Sequence, residues 1–244
     1  LCKENSVSFI ETEIPDSVME PPTSELDSNK VIDSEKQICE RIGQIITPKT
    51  KKFHMRHEIF PGEKCSIEQA FKQQNIQYHP KSITLSFDWN TDTHMEPSLL
   101  PICEINNDCQ PVCYYHPTIQ NGSIKTSGFA PDETHLRVKL WDLPDKLKYI
   151  GIALNSTKGI PFNDIDGAYL RIFDDNTGKE IMFLNVENKT NKTGVIIGVL
   201  AKVDDHWEVW SCMKYFHGKH PSESMSYFKD NIKFFTLKYV NLSE

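Results

Sequence analysis

The densest group of metal-binding side chains in the sequence is Cys103-x5-Cys109-x3-Cys113-x2-His116. Three thiols and an imidazole so close together are donors that a tetrahedral zinc site uses. The group has no C-x2-C pairs, however, and Pro101, Pro111 and Pro117 run through the segment. Buried free thiols, a loop disulfide and zinc all remain open, and the spacing ranks them in that order. Cys212 alternates with strand residues and reads as core, whereas Cys2, Cys39 and Cys65 fall earlier in the chain. His217-Gly-Lys-His220 could touch a metal or a phosphate, but turn residues followed by Pro221 read first as a loop before a helix. His57-Glu58 begins like a zincin signature and fails at Pro61, where the second histidine belongs. No G-x-S-x-G, G-x-x-x-x-G-K or G-x-G-x-x-G occurs. Asp164 and Asp166 read as solvated loop acids. The expectation is a protein that is not an enzyme.

These residues need elements to hold them. Ile83, Leu85, Phe87 and Trp89 alternate with polar residues from Ser82 onward, the period of a half-buried strand, and Leu136, Val138 and Leu140 do the same. Tyr149–Leu154 is apolar on both faces and predicts a central strand covered on two sides. Asp174–Gly178 and Asp204–His206 predict hairpin turns. A short helix over Ser222–Asn231 and a last strand over Lys233–Val240 are expected to follow. Trp89, Trp141, Trp207 and Trp210 are expected as core or sheet-face anchors. Many short strands with little helix predict a mainly β fold, an antiparallel β-sandwich.

Before the strands the texture differs. Residues 1–33 hold eight acids and two bases with no hydrophobic period, so they read as an acidic, disordered arm. Residues 34–80 read as a helical leader. Ser34-x-x-Gln37 is a capping box, and Ile38, Ile42, Ile45 and Ile46 share one helical face that must bury against the body or bind a partner. Lys49–Arg56 is basic and reads as a solvated linker. A second capping box, Ser66-x-x-Gln69, opens a short helix with Ile67, Ala70 and Phe71 inward. Residues 81–244 form the sandwich domain in this division.

The 244 residues carry a net charge of −7, and nearly all of it lies in the arm. The body offers no broad positive field, so no nucleic-acid partner is expected. No apolar run reaches the ~18 residues of a membrane span, and no signal peptide is visible before the acidic arm. The chain begins at Leu1, which suggests a processed or excised piece of something longer. Seven cysteines fit a reducing compartment, while sequons at Asn121, Asn155, Asn188, Asn191 and Asn241 point the other way. The reading taken is cytoplasmic or membrane-peripheral.

Six motifs stand in order between Ser82 and Tyr215: Leu85-Ser-Phe-Asp-Trp-Asn90, Val138-Lys-Leu-Trp-Asp-Leu-Pro-Asp145 leading into Ile150-Gly-Ile-Ala, Phe162-Asn-Asp-Ile-Asp-Gly-Ala-Tyr-Leu-Arg-Ile172, Asp175-Asn-Thr-Gly-Lys-Glu180, Val195-Ile-Ile-Gly-Val-Leu200, and His206-Trp-Glu-Val-Trp210. In order and spacing this run resembles the TerD-like, tellurium-resistance family of stress proteins. The resemblance implies a β-sandwich that binds calcium through acidic loops and serves in stress-response complexes, with no known hydrolytic activity. Carried over residue by residue, it offers calcium Asp88, Asn90, Asp92, Glu96, Asp132 and Glu133. That is thin for an ion that takes six to eight oxygens, and Asp88 precedes Trp89 where the family's Asp follows its Trp. The expectation is a kept fold with a degraded calcium site: a non-catalytic binding or scaffold module with a protein partner, in a stress-response or membrane-associated complex. The alternatives are a secreted or surface glycoprotein that binds a protein partner, and a calcium-dependent ligand binder.

Overall fold

A computed structural model describes residues 57–89, 93–103, 109–129, 133–186 and 190–240. Contacts divide the chain into two units, 1–52 and 53–244, and every described residue lies in the second. The expected helix face of Ile38, Ile42, Ile45 and Ile46 therefore lies outside the described residues.

The order is β1 (Lys64–Ser66), α1 (Ile67–Gln73), β2 (Ser82–Asp88), β3 (Met95–Cys103), β4 (Thr118–Ile119), β5 (Ile124–Phe129), β6 (Glu133–Lys139), β7 (Leu147–Ser156), β8 (Tyr169–Asp174), β9 (Glu180–Asn185), β10 (Gly194–Val203), β11 (His206–Phe216) and α2 (Pro221–Val240). All named strand pairs are antiparallel, in two sheets: β1-β11-β10-β7-β3 and β4-β5-β6-β2-β8-β9. This is the expected mainly β fold.

The six-stranded sheet has one buried face. Ile83, Leu85 and Phe87 of β2, Leu136 and Val138 of β6 and Leu170 and Ile172 of β8 all enter the core, and the polar residues between them lie on the opposite face, where Thr84, Arg137 and Arg171 are half-buried and Ser86 is buried. The hairpin between β8 and β9 is tied down by its own acids. Asp174 accepts the backbone N–H groups of Asn176 and Thr177 at 3.3 and 3.0 Å and the hydroxyl of Tyr78. Burial works to raise the carboxyl of Asp175, but the Ser82 and Thr84 hydroxyls, each at 2.9 Å, and the Arg137 guanidinium outweigh it and hold that carboxyl below its ordinary range.

The five-stranded sheet is apolar on both faces. Leu154, Val195, Ile197, Leu200 and Val209 join the core between the sheets, whereas Leu100, Ala153, Ile196, Val199 and Trp210 face the other way. α2 covers that second face with Met225, Phe228, Phe235 and Tyr239. Tyr239 stacks on Trp210 with ring centroids 5.1 Å apart. A helix here corrects the expected strand over Lys233–Val240. The apolar positions 225, 228, 232, 235 and 239 step by three and four, which keeps them on one helical face.

Residues 57–66, assigned to the leader on sequence, are built into both sheets. The Ile59 N–H donates to the Phe183 carbonyl and the Phe183 N–H to the His57 carbonyl, each at 3.0 Å, a parallel bridge of Glu58 to Phe183 in β9, and β1 pairs with β11. α1 buries Ile67, Ala70 and Phe71 as expected, although the Ser66 side chain makes no cap hydrogen bond. Trp141 is a second correction. It lies in a short 3-10 turn, 65% exposed, and donates its indole N–H to the Pro80 carbonyl at 3.0 Å.

Gly151 of β7 lies under α2, and a Cβ there would come within 2.9 Å of the Phe228 ring, which is fully buried. Gly151→Ala is expected to lower unfolding free energy by about 1–3 kcal/mol through overpacking, measured by urea titration. An unchanged midpoint would mean that the helix does not press on the sheet there.

Candidate functional site

β3 carries two prolines, which only an edge strand tolerates. Leu99 exchanges both backbone bonds with Val112, so its polar groups face away from β7. Pro97 and Pro101 lie two residues either side of Leu99, so their missing N–H groups face that outer side as well. The bridge to Val112 brings residues 109–116 alongside the edge. Cys113 donates its N–H to the His116 carbonyl at 3.0 Å, and the tip of this turn presents Tyr114 and Tyr115, 58% and 69% exposed.

The opposite wall is the start of α2. Pro221 takes the first helical position, where its lacking N–H costs nothing. Glu223 reaches back to accept the N–H groups of Lys219 and His220, at 2.5 and 3.0 Å. The preceding loop is anchored inside the protein. Asn155, fully buried, donates to the Gly218 carbonyl at 3.1 Å and accepts the Ser224 hydroxyl at 2.6 Å. Thr193 donates to the same carbonyl and accepts the Gly218 N–H, each at 3.1 Å. The Asn155 sequon is thus an internal strut, closed to a glycan in this fold. His217–His220 is the expected loop before a helix, and His220 belongs to the site.

Between the two walls lies an open pocket of about 710 Å³, with Cys109, Pro111, Cys113 and Tyr115 on one side and His220, Met225 and Lys229 on the other. A second pocket of about 300 Å³ adjoins it, sharing Tyr115 and His220 and bordered by Glu96. Glu96 is opposite Asn155 in the β3–β7 ladder, on the face that α2 covers, and is 4% exposed. Burial pushes its carboxyl above the ordinary range, against the Cys113 thiol and the Tyr114 N–H bonded to it and nearby His220. Its Oε1 has no hydrogen-bond partner. Burial also raises the Cys113 thiol.

Of the six residues expected to offer calcium their oxygens, the two with described side chains, Asp88 and Glu96, lie in different sheets. Asp88 is in the other sheet, where Arg171 grips it with both nitrogens, Nε at 3.1 Å from Oδ2 and Nη2 at 3.0 Å from Oδ1. The Glu133 backbone pairs opposite Asp88 in β6. Asn90, Asp92 and Asp132 lie outside the described residues. Of the cysteine group, Cys113 is a buried free thiol, Cys109 is half-buried and His116 is exposed. Among the described residues no three His, Cys, Asp or Glu side chains are placed to hold a metal, and no helix is long and apolar enough to cross a membrane. Tyr114 and Tyr115 were missed on sequence, where the one available signal was an aromatic pair between Pro111 and Pro117.

A group whose folded pKa is raised contributes stability at low pH and loses it as pH rises through the folded value. The neutral variant Glu96→Gln is therefore expected to gain stability relative to the native chain between pH 4 and pH 8. Paired thermal melts across that range measure the gap, and a gap that is flat or shrinks with pH contradicts a charge held out of water.

The TerD domain family model matches residues 57–219. A tellurium resistance protein TerZ of Serratia marcescens is 29% identical over 90 residues, which is 37% of this chain and 46% of that protein. The chain thus spans less than half the length of that curated relative. A solved homologue of the telluride resistance protein TerD from Streptomyces coelicolor A3(2) is similar at a TM-score of 0.46 and 12% identity, over 58% of this chain and 93% of the other. A solved protein of unknown function gives a TM-score of 0.49 at 12% identity, over 61% and 96% of the two chains.

Proposed function

We propose that this chain, which belongs to the TerD domain family, works as a non-catalytic binding module in a stress response of the tellurium-resistance type. The family match over residues 57–219 carries the reading, because that stretch builds both sheets and one wall of the pocket. The buried thiols of the domain are poor nucleophiles. Burial pushes Cys65 up to about 11, with Glu208 adding to it, pushes Cys212 up to about 12 and raises Cys113 as well. Thiols so placed stay protonated near neutrality. The reading includes a calcium site weaker than the family's, since Asp88 is held by Arg171 and Glu96 lies apart in the other sheet. The partner is a protein or a small ligand seated between the 109–116 turn and α2.

Two measurements test this. The full chain, expressed in a tellurite-sensitive bacterial host, is expected to raise the tellurite concentration that stops growth, and its melting temperature is expected to be the same in millimolar calcium and in chelator. No gain in tolerance removes the stress reading, and a calcium-dependent rise in melting restores the family's ion site. Separately, Cys65, Cys113 and Cys212 are expected to resist iodoacetamide at pH 8 in the native protein and to react in denaturant, read by peptide mass mapping. Rapid native labelling of Cys113 would reopen nucleophilic chemistry.

A further inference from the structure

Covering the sheet occupies one side of α2. Met225, Phe228, Ile232, Phe235 and Tyr239 complete the second core, and the opposite side of the helix is not needed for that task. Among the described residues, the exposed large hydrophobic side chains that carry no polar atom are Phe60, Phe234 and Leu237. Phe234 and Leu237 lie on the outer side of α2, 49% and 63% exposed. Phe60, 55% exposed, starts the neighbouring turn, whose Gly62 is so close that a Cβ there would stand 3.3 Å from Lys238 Nζ. Hydrocarbon gathered at a surface in this way marks an interaction face. α2 lies beyond residues 57–219, the stretch that the family model matches, so the face belongs to this chain rather than to the matched domain.

The charges beside it select the partner. Residues 230, 234 and 238 step by four and so follow one ridge of the helix, with Phe234 midway. Asp230 and Lys238 are exposed and have no ion-pair partner among the described residues. Each stands about 6 Å along the axis from Phe234, and the ~12 Å between them is too far for them to pair with each other. An acid and a base set evenly about an apolar residue are complementary to a copy of themselves. A two-fold axis beside Phe234 reverses the ridge and carries each Asp230 to Lys238 of a second copy. The neighbouring register, Phe234 on Leu237, would set Lys233 against Lys238 and is disfavoured by like charge. Around the patch the signs are mixed: Lys214 lies 4.4 Å over the Phe234 ring, while Glu63 holds the Phe60 N–H. A membrane of anionic lipid therefore meets no field of one sign here.

We propose that this face joins two copies of the chain, their α2 helices antiparallel about a two-fold axis beside Phe234, with Asp230 of each against Lys238 of the partner subunit. Phe234 and Leu237 leave water, and two equivalent ion pairs fix the register. One helix face and one turn are small against the ~800 Å² per partner of a stable interface. The dimer is accordingly a weak one, forming at about 10–100 µM.

Sedimentation velocity of the full chain in reducing buffer, at concentrations below, within and above that range, tests it. A shift from monomer to dimer is expected as concentration rises. Phe234→Gln is expected to weaken association about tenfold or more while keeping the circular dichroism and melting transition of the native chain. Asp230→Lys and Lys238→Asp are each expected to weaken it several-fold, and the double variant carrying both to recover nearly native association, since the exchange restores both pairs. A chain that stays monomeric at the highest concentration, a dimer that folded Phe234→Gln leaves intact, or a double variant no better than the single ones overturns the proposal. So does a monomer that pellets with phosphatidylglycerol vesicles through Phe234 and Leu237, which assigns the face to a membrane.

Discussion

The middle of the five-stranded sheet cannot face water on either side, and the rest of the molecule answers to that constraint. β7 and β10 alternate core residues between two different interiors, Leu154 and Leu200 toward the other sheet, Ala153 and Val199 away from it. Strands of this kind need two covers. The six-stranded sheet supplies one and α2 the other. For α2 to lie close, Gly151 must be bare and the loop before the helix must be pinned from within, which Asn155 and Thr193 do through Gly218. The pinning sets His220 beside Glu96, so the pocket is a by-product of how the lid is hung.

The carboxylates show what is structural and what is left over. Asp88 and Asp175 each face a guanidinium, and Asp174 is wrapped by the turn that it stabilises. Paired acids of this kind are accounted for by the fold. Glu96, 4% exposed against 0% for Asp174, has an oxygen with no hydrogen-bond partner. That contrast, rather than acidity alone, marks an acid that the fold pairs only in part.

Legibility followed the strength of each local period. β6 and β8 show clean alternation because one of their faces is wetter than the other, and the Ile150–Leu154 stretch of β7 reads as doubly covered because no polar residue interrupts it. The segment after Asn231 defeats the same logic. Phe234, Phe235, Leu237, Tyr239 and Val240 satisfy a strand period nearly as well as a helical one, and the choice falls to the sheet face that needs a cover. β1 has three residues, too few to show a period, and is a strand because β11 offers an open edge. Trp141 follows a strand pattern in sequence, yet the chain turns at Leu140 and leaves the indole outside. Of the site, Glu96 was picked out for its charge and assigned to an ion. Its neighbours Cys113, Tyr114 and His220 come from distant segments that meet through the β3 edge and the anchored loop, a proximity that no spacing records.

The lid comes after the sheet that it closes. A ribosome completes β10 and β11 before the first residue of α2 exists, and a sheet assembled without the helix would leave Ile196, Val199 and Trp210 uncovered on their outer face. At ~5–20 residues per second, the helix takes roughly one to four seconds to make. Until the helix docks, the outer face of the sheet is apolar and uncovered, and the β3 edge beside it has two prolines that deny an incoming strand two of its hydrogen bonds. The same prolines that shape the pocket thereby guard the unfinished chain against pairing with its neighbours.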